Sequence, residues 1–71
     1  MKQLQTSIGK KIRELRIEAG LSQEAFADRA QIHRHHMGEI ERGEVDVTLS
    51  LLMKVAQALD VKVSKLVQGI A

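Results

Sequence analysis

The chain has 71 residues, no cysteine, no proline and a formal net charge of +2, with 44% apolar and 28% charged residues. This length gives one domain, and the lack of cysteine excludes a disulfide framework and a thiolate metal cluster. No apolar run approaches the roughly 18 residues of a membrane span, and the polar N-terminus lacks a signal core, so we expect a soluble cytoplasmic protein without membrane contact.

The first predicted helix carries apolar residues at steps of four, three and four, the spacing of one helical face: Ile8, Ile12, Leu15 and Ala19. Thr6 or Ser7 is expected to cap its start, because a side-chain oxygen there can accept a free backbone N–H. Gly20 is expected to end the helix in the left-handed conformation.

Residues 1–43 hold eight basic and six acidic side chains, whereas residues 44–71 hold three of each, so the small positive excess belongs to the first part.

Two short helices joined by a tight turn are predicted at about residues 22–42. Ser22 caps the second helix of the chain, whose buried positions are Phe26, Ala27 and Ala30, and whose solvent-facing positions are Glu24, Asp28 and Arg29. A turn at Gln31 and Ile32 follows. The third helix buries Met37 and Ile40 and ends at Gly43. This layout is typical of a helix-turn-helix, which fits its second helix into the major groove of DNA.

A fourth helix is predicted after the linker 44–47, with Thr48 as its N-cap. Its apolar stripe consists of Leu49, Leu52, Val55, Ala56 and Leu59, and its polar face consists of Ser50, Lys54 and Gln57. Asp60 is expected to close it, and a short fifth helix is predicted from Ser64 to Gln68. The sequence therefore predicts one compact all-α domain of five helices over residues 1–71.

From Ile8 to Val67 the chain resembles the phage-repressor and Cro type (XRE) helix-turn-helix domain, a lambda-repressor-like fold. The resemblance is carried by Ile12-Arg13-Glu14-Leu15-Arg16, Gly20-Leu21-Ser22-Gln23, Phe26-Ala27, Ile40-Glu41-Arg42-Gly43, Thr48-Leu49, Leu52, Ala56, Ala58-Leu59 and Leu66. The segments Met37 to Gly43 and Val47 to Leu49 resemble the controller proteins of restriction-modification systems. The resemblance implies a transcriptional regulator that binds operators in double-stranded DNA as a dimer.

Two residues depart from the pattern of this family. Most relatives have glycine in the turn, where this chain has Gln31, so the backbone there must be strained or the turn altered. Most relatives begin the recognition helix with a small hydroxylic cap, where this chain has His33. Sequence preference is therefore not transferable from a relative.

The resemblance implies that the exposed positions of the third helix read bases: Arg34, His35, His36 and Glu39. Arg34 can fork onto O6 and N7 of guanine, and Glu39 can accept from N4 of cytosine. Gly38 is also taken as exposed, and its lack of a side chain lets the backbone of the third helix approach DNA closely. Phosphate contacts are expected from Gln23, His33, Arg42, Gly43 and Arg13, with Lys10 and Lys11 as weaker candidates. The alternative for the residues of the third helix and for the two lysines is an ordinary solvated helical face, and the alternative for Gln23 is a helix-start residue without function.

Two further groups of residues are expected to be structural. The resemblance implies an ion pair between Arg16 and Glu41 that positions the recognition helix, with Arg16 also near phosphate. The apolar residues Leu51, Val63, Val67 and Ile70 exceed what one small core needs, so we expect them in a two-fold dimer interface. Alternatively, the C-terminal ones close the core of the monomer.

The expected function is sequence-specific binding of a palindromic or pseudopalindromic operator by a homodimer, in association with the nucleoid. The alternative is an antitoxin-like interaction module that masks a partner protein. No metal or cofactor is expected: adjacent histidines point about 100° apart on a helix, so His33, His35, His36 and Glu39 do not form a recognised zinc spacing. Catalysis is not expected either, because a domain this small forms no deep cleft.

Overall fold

The computed structural model describes residues 2–70, and this part of the chain contains five α-helices and no strand. The helices are α1 (Lys2–Glu18), α2 (Gln23–Ala30), α3 (Arg34–Glu41), α4 (Leu49–Leu59) and α5 (Val63–Val67). The prediction of an all-α fold with five helices is confirmed. None of these helices is long and apolar enough to cross a membrane.

The predicted helix ends at Ser22, Thr48, Gly20 and Asp60 are confirmed. The Ser22 hydroxyl accepts the N–H of Ala25 at 3.0 Å, and the Thr48 hydroxyl accepts the N–H of Leu51 at 3.1 Å. Gly20 and Asp60 both have positive φ angles, of 73° and 57°. These ends were predictable because each depends on residues within one turn of it.

The start of α1 was predicted incorrectly. The helix begins at Lys2, so Thr6 and Ser7 lie inside it, and the Thr6 hydroxyl donates to the Lys2 carbonyl at 2.9 Å instead of capping. The first three residues of the helix are exposed, Leu4 by 41%, and therefore add nothing to the buried apolar stripe. Ala19, predicted on the buried stripe, is exposed and lies just beyond the helix.

The core lies where the five helices meet. Its fully buried large side chains are Ile12, Phe26, Met37, Ile40, Val55 and Leu66. Helix α1 packs against α3, α4 and α5, while α2 packs against α3 and α4. The prediction for α4 fails at its first residue, because Leu49 is 68% exposed and only later turns reach the core. Helix α5 is displaced by one residue from its predicted range of Ser64 to Gln68.

Gly9 allows α1 to cross α3 at backbone contact distance. A Cβ atom at this position would lie 2.4 Å from the carbonyl oxygen of Ile40 and 2.7 Å from that of Glu41. Any larger residue would push the two helices apart. Gly9 therefore determines how closely α1 supports the end of α3.

Candidate nucleic-acid interface

The turn between α2 and α3 keeps its tight geometry without glycine. Gln31 has φ 58° and ψ 42°, the left-handed conformation. Its N–H donates to the Asp28 carbonyl at 3.1 Å, and the next N–H, of Ile32, donates to the Ala27 carbonyl at 2.9 Å. The strained backbone is thus one of the two outcomes considered for this position, and the turn directs the chain into α3.

His33 caps the start of α3 with its imidazole ring. The Nδ1 atom accepts the backbone N–H of His35 at 3.1 Å. The ring thereby replaces the small hydroxyl group that relatives place here. The second departure from the family pattern therefore leaves the helix start capped.

The solvent-facing side of α3 presents long polar side chains. The side chains of Arg34 and His35 are 66% and 77% exposed, and His36 and Glu39 are partly exposed. Nη1 of Arg34 donates to Oε2 of Glu24 on α2 at 3.0 Å. Because both partners are about two-thirds exposed, this pair stabilises the fold little. We refer to Arg34, His35, His36 and Glu39 as the recognition surface.

Gly38, predicted to be exposed, is buried. A Cβ atom there would lie 2.9 Å from Nη1 of Arg42 and 3.4 Å from Oε1 of Gln23. These two long side chains cover the glycine, one from the end of α3 and the other from the start of α2. Gly38 therefore makes room for protein side chains, which sequence periodicity could not reveal.

Glu39 lies between two histidines on the recognition surface. His36 Nδ1 is 3.3 Å from one of its carboxylate oxygens, and His35 Nε2 is 3.9 Å from the other. Within residues 2–70 the structure brings together no group of three or more histidine, cysteine or acidic residues that could hold a metal ion. The Glu39 carboxylate thus faces imidazole groups on its own helix.

Glu41 is a buried carboxylate that accepts three hydrogen bonds, and its side chain is only 2% exposed. Arg16 donates from Nε at 2.8 Å and from Nη2 at 3.1 Å, and Gln23 donates from its amide at 3.2 Å. The remaining Arg16 nitrogen, Nη1, donates to the Leu21 carbonyl at 2.9 Å. The Gln23 side chain was expected on phosphate; in the free protein it belongs to this network. In the sequence, the only feature that marked Gln23 as a functional residue was its position directly after the Ser22 cap.

Arg42 is held by Glu44, a residue that sequence reasoning missed. Nε and Nη2 of Arg42 donate to the two Glu44 carboxylate oxygens at 2.9 and 3.2 Å. This hydrogen bonding raises the pKa of Arg42 and lowers the pKa of Glu44 below its ordinary value. Both groups are therefore charged at neutral pH.

The side chains at the start of α2 and along α3 line a polar recess of about 220 Å³: Gln23, His33, Arg34, His35, Gly38 and Arg42. Its wall presents amide, imidazole and guanidinium groups, which suit an anion.

The other residues expected to contact phosphate lie outside this recess. Arg13 and Lys10 are exposed on α1, and Lys11 is half-buried. Gly43 is buried, and its N–H already donates to the Ile40 carbonyl at 3.1 Å. This N–H is thus less available for phosphate than expected.

The four residues expected in a dimer interface are half-buried and pack against the core: Leu51, Val63, Val67 and Ile70. The larger exposed apolar side chains of α4 are Leu49 at 68% and Met53 at 48% exposure. Leu49 and Met53 are one helical turn apart. The apolar surface of α4 therefore begins earlier in the helix than the predicted set.

Fold and site together define a helix-turn-helix DNA-binding domain. The chain belongs to the helix-turn-helix family HTH_3, whose sequence profile matches residues 12–66. It is 41% identical over 59 residues to the control protein C.SmaI of Serratia marcescens, covering 83% of this chain and 70% of that protein. It is 34% identical over 71 residues to the control protein C.MunI of Mycoplasma sp., covering 99% and 96% of the two chains.

Among solved structures, the fold matches the restriction-modification controller protein C.AhdI of Aeromonas hydrophila with a TM-score of 0.84 and 39% identity. The match covers 86% of this chain and 92% of that one. The predicted resemblance to XRE-type regulators, and to controller proteins among them, is confirmed. The chain thus belongs to a family of helix-turn-helix regulators, and the relatives named above are controller proteins and not enzymes.

Proposed function

We propose that this chain binds double-stranded DNA in a sequence-specific manner, as a homodimer on a palindromic or pseudopalindromic operator. The observation that carries the proposal is the recognition surface on α3, bordered by the polar recess at the start of α2. A helix displayed in this way fits the major groove, while donors at the helix ends meet the phosphates on either side.

Arg34 and Glu39 have the clearest roles in base reading. The Arg34 contact with Glu24 uses one guanidinium nitrogen, which leaves a planar fork for O6 and N7 of guanine. Glu39 can accept from cytosine N4, and His35 and His36 lie beside it. Gln23, His33, Arg42, Gly43 and Arg13 are proposed to contact phosphates, in the case of Gln23 chiefly through its backbone N–H at the start of α2.

The size of the folded chain supports binding by two copies. Its longest dimension is 29 Å, whereas successive major grooves on one side of the duplex lie about 34–36 Å apart. One copy therefore reads one half-site. We propose that α4 and α5 meet the second copy through the residues Leu49, Leu51, Met53, Val63, Val67 and Ile70, whose apolar surface is only partly covered in the single chain.

Selection of bound sequences from random duplex DNA tests the reading function. Arg34→Ala and Glu39→Ala are each expected to weaken the selected operator by about 1–3 kcal/mol and to relax the preference at particular base pairs. Gln23→Ala keeps the backbone N–H but removes the amide that donates to Glu41, so it should weaken all sequences similarly by loosening the end of α3 against the start of α2. Arg29→Ala is the matched control, because Arg29 lines a recess with α4 residues away from the recognition surface. An unchanged sequence preference in Arg34→Ala would mean that α3 is oriented differently on DNA.

Sedimentation at tens of micromolar protein, with circular dichroism as a check of helicity, tests the dimer. Met53→Glu should shift the protein toward monomer, because it places a charge in an apolar contact while removing nothing from the core. Leu51→Glu and Val67→Glu should do the same, with some loss of stability since both are half-buried. Lys54→Glu, an exposed neighbour, is the control. A monomeric wild type with full affinity for an isolated half-site would contradict the proposal.

A further inference from the structure

The ion pair between Arg42 and Glu44 has the geometry in which arginine binds phosphate. Two guanidinium N–H groups, from Nε and Nη2, meet two carboxylate oxygens at 2.9 and 3.2 Å. Arginine presents the same planar fork to two oxygens of a phosphate group. The Glu44 carboxylate therefore occupies the position at which a phosphate would bind Arg42.

The backbone holds Glu44 in this place. Gly43 reverses the chain with φ 72°, and the Glu44 N–H donates to the Glu39 carbonyl at 2.9 Å. The following residue, Val45, is half-buried against the core. The contact between Glu44 and Arg42 is thus a consequence of how α3 ends.

Helix stability does not explain an acidic residue at this position. The carbonyl end of a helix carries partial negative charge and favours cations, so the Glu44 carboxylate is unfavourably placed next to α3. The pair is about half exposed, with side-chain exposures of 54% and 52%, and exposed pairs stabilise a fold little. What the carboxylate does is hold the guanidinium group of Arg42.

Arg34 provides a contrast on the same surface. Glu24 takes only its Nη1 atom, so its contact leaves most of the guanidinium group available. Glu44 takes both Nε and Nη2 of Arg42. Arg34 and Arg42 therefore differ: an internal carboxylate bonds to one guanidinium nitrogen of Arg34 but to two guanidinium nitrogens of Arg42.

We propose that Glu44 is an internal substitute for a DNA phosphate, which occupies Arg42 in the free protein and must be displaced when duplex DNA binds. Glu44 thereby limits affinity for duplex DNA of any sequence. The inference rests on the proposed function, in which Arg42 contacts a phosphate. Because phosphates are the same at every base pair, the effect is independent of the operator.

A double-mutant cycle on a random-sequence DNA duplex tests this inference. Glu44→Gln should bind about threefold more tightly than wild type, because phosphate no longer has to displace an exposed carboxylate from Arg42. In the Arg42→Met background the same change should have a much smaller effect, because no guanidinium group is left to release. Asp60→Asn is the control for net charge, since Asp60 lies between α4 and α5 and Asn also tolerates its left-handed backbone.

Two results overturn the inference while leaving the proposed function intact. One is wild-type DNA binding that Glu44→Gln does not strengthen. The other is an equal gain in the Arg42→Met background, which would show that Glu44 acts only by repelling DNA. If wild type and Glu44→Gln both fail to bind duplex DNA at low salt, the proposed function itself is wrong, and the inference is wrong with it.

Discussion

Arg16 and Glu41 form a buried ion pair that joins the last turn of α1 to the last residue of α3, with Nε and Oε2 2.8 Å apart. The side chains are 12% and 2% exposed. Such a pair adds little stability over well-packed apolar residues, because both charges lose their hydration. Its geometric effect is larger: together with Gln23 it fixes the position of α3 relative to α1 and α2.

Removal of Arg16 should be more harmful than removal of the whole pair. We expect Arg16→Met to destabilise the fold by about 3–5 kcal/mol, because Glu41 is left as a buried charge with Gln23 as its remaining donor. The double variant Arg16→Met/Glu41→Leu should recover part of this loss. Urea unfolding of the two single variants and the double variant measures the coupling. Additive losses would show that the pair does not act as a unit.

Gly9→Ala should destabilise the protein although alanine favours helix formation. The helix propensity gain is about 1 kcal/mol, but the new Cβ would lie 2.4 Å from the Ile40 carbonyl oxygen. We expect a net loss of about 1–3 kcal/mol from overpacking, measured by urea unfolding. Gly20→Ala is the control for backbone strain without a clash, since nothing lies within 4 Å of a Cβ there. A Gly9→Ala variant as stable as wild type would mean that the helices separate easily.

Gln31→Gly should stabilise the protein by about 0.5–1 kcal/mol, because a left-handed backbone is strained in residues with a side chain. Asp60 has almost the same φ, 57° against 58° at Gln31. Because Asp tolerates this conformation better than Gln, Asp60→Gly should gain less. Thermal and urea unfolding of the two variants measure the difference. The opposite order of stabilities would locate the strain at the end of α4 instead.

His33→Ala should destabilise α3 by about 0.5–2 kcal/mol, because the N–H of His35 loses its acceptor. His33→Ser is the matched control, since a hydroxyl group caps in the same way and should retain stability. The free energy of unfolding of both variants at pH 8 gives the comparison. Equal stability of the wild type and His33→Ala would show that the imidazole contributes no cap.

Much of the fold was predictable because it depends on residues that are close together in the sequence. The caps at Ser22 and Thr48 and the burial of Phe26 on α2 and Met37 on α3 follow from residues within a few turns of each position. The start of α1 was not predictable in this way. Its first turn buries nothing, so neither periodicity nor a cap residue marks it.

The sequence by itself determined the five helices, the turn between α2 and α3, and the exposure of Arg34 and His35, because helical period and capping act between near neighbours. Only the tertiary structure decided that protein side chains cover Gly38 and that the Gln23 amide bonds to Glu41. Only the tertiary structure, too, showed that Gly9 lets the backbones of α1 and α3 come into contact. These contacts join segments far apart in the sequence. The pairing of Glu44 with Arg42 is close in sequence, but it depends on the reversal at Gly43, where α1 packs so closely that a Cβ atom would lie 2.6 Å from the Cα of Thr6.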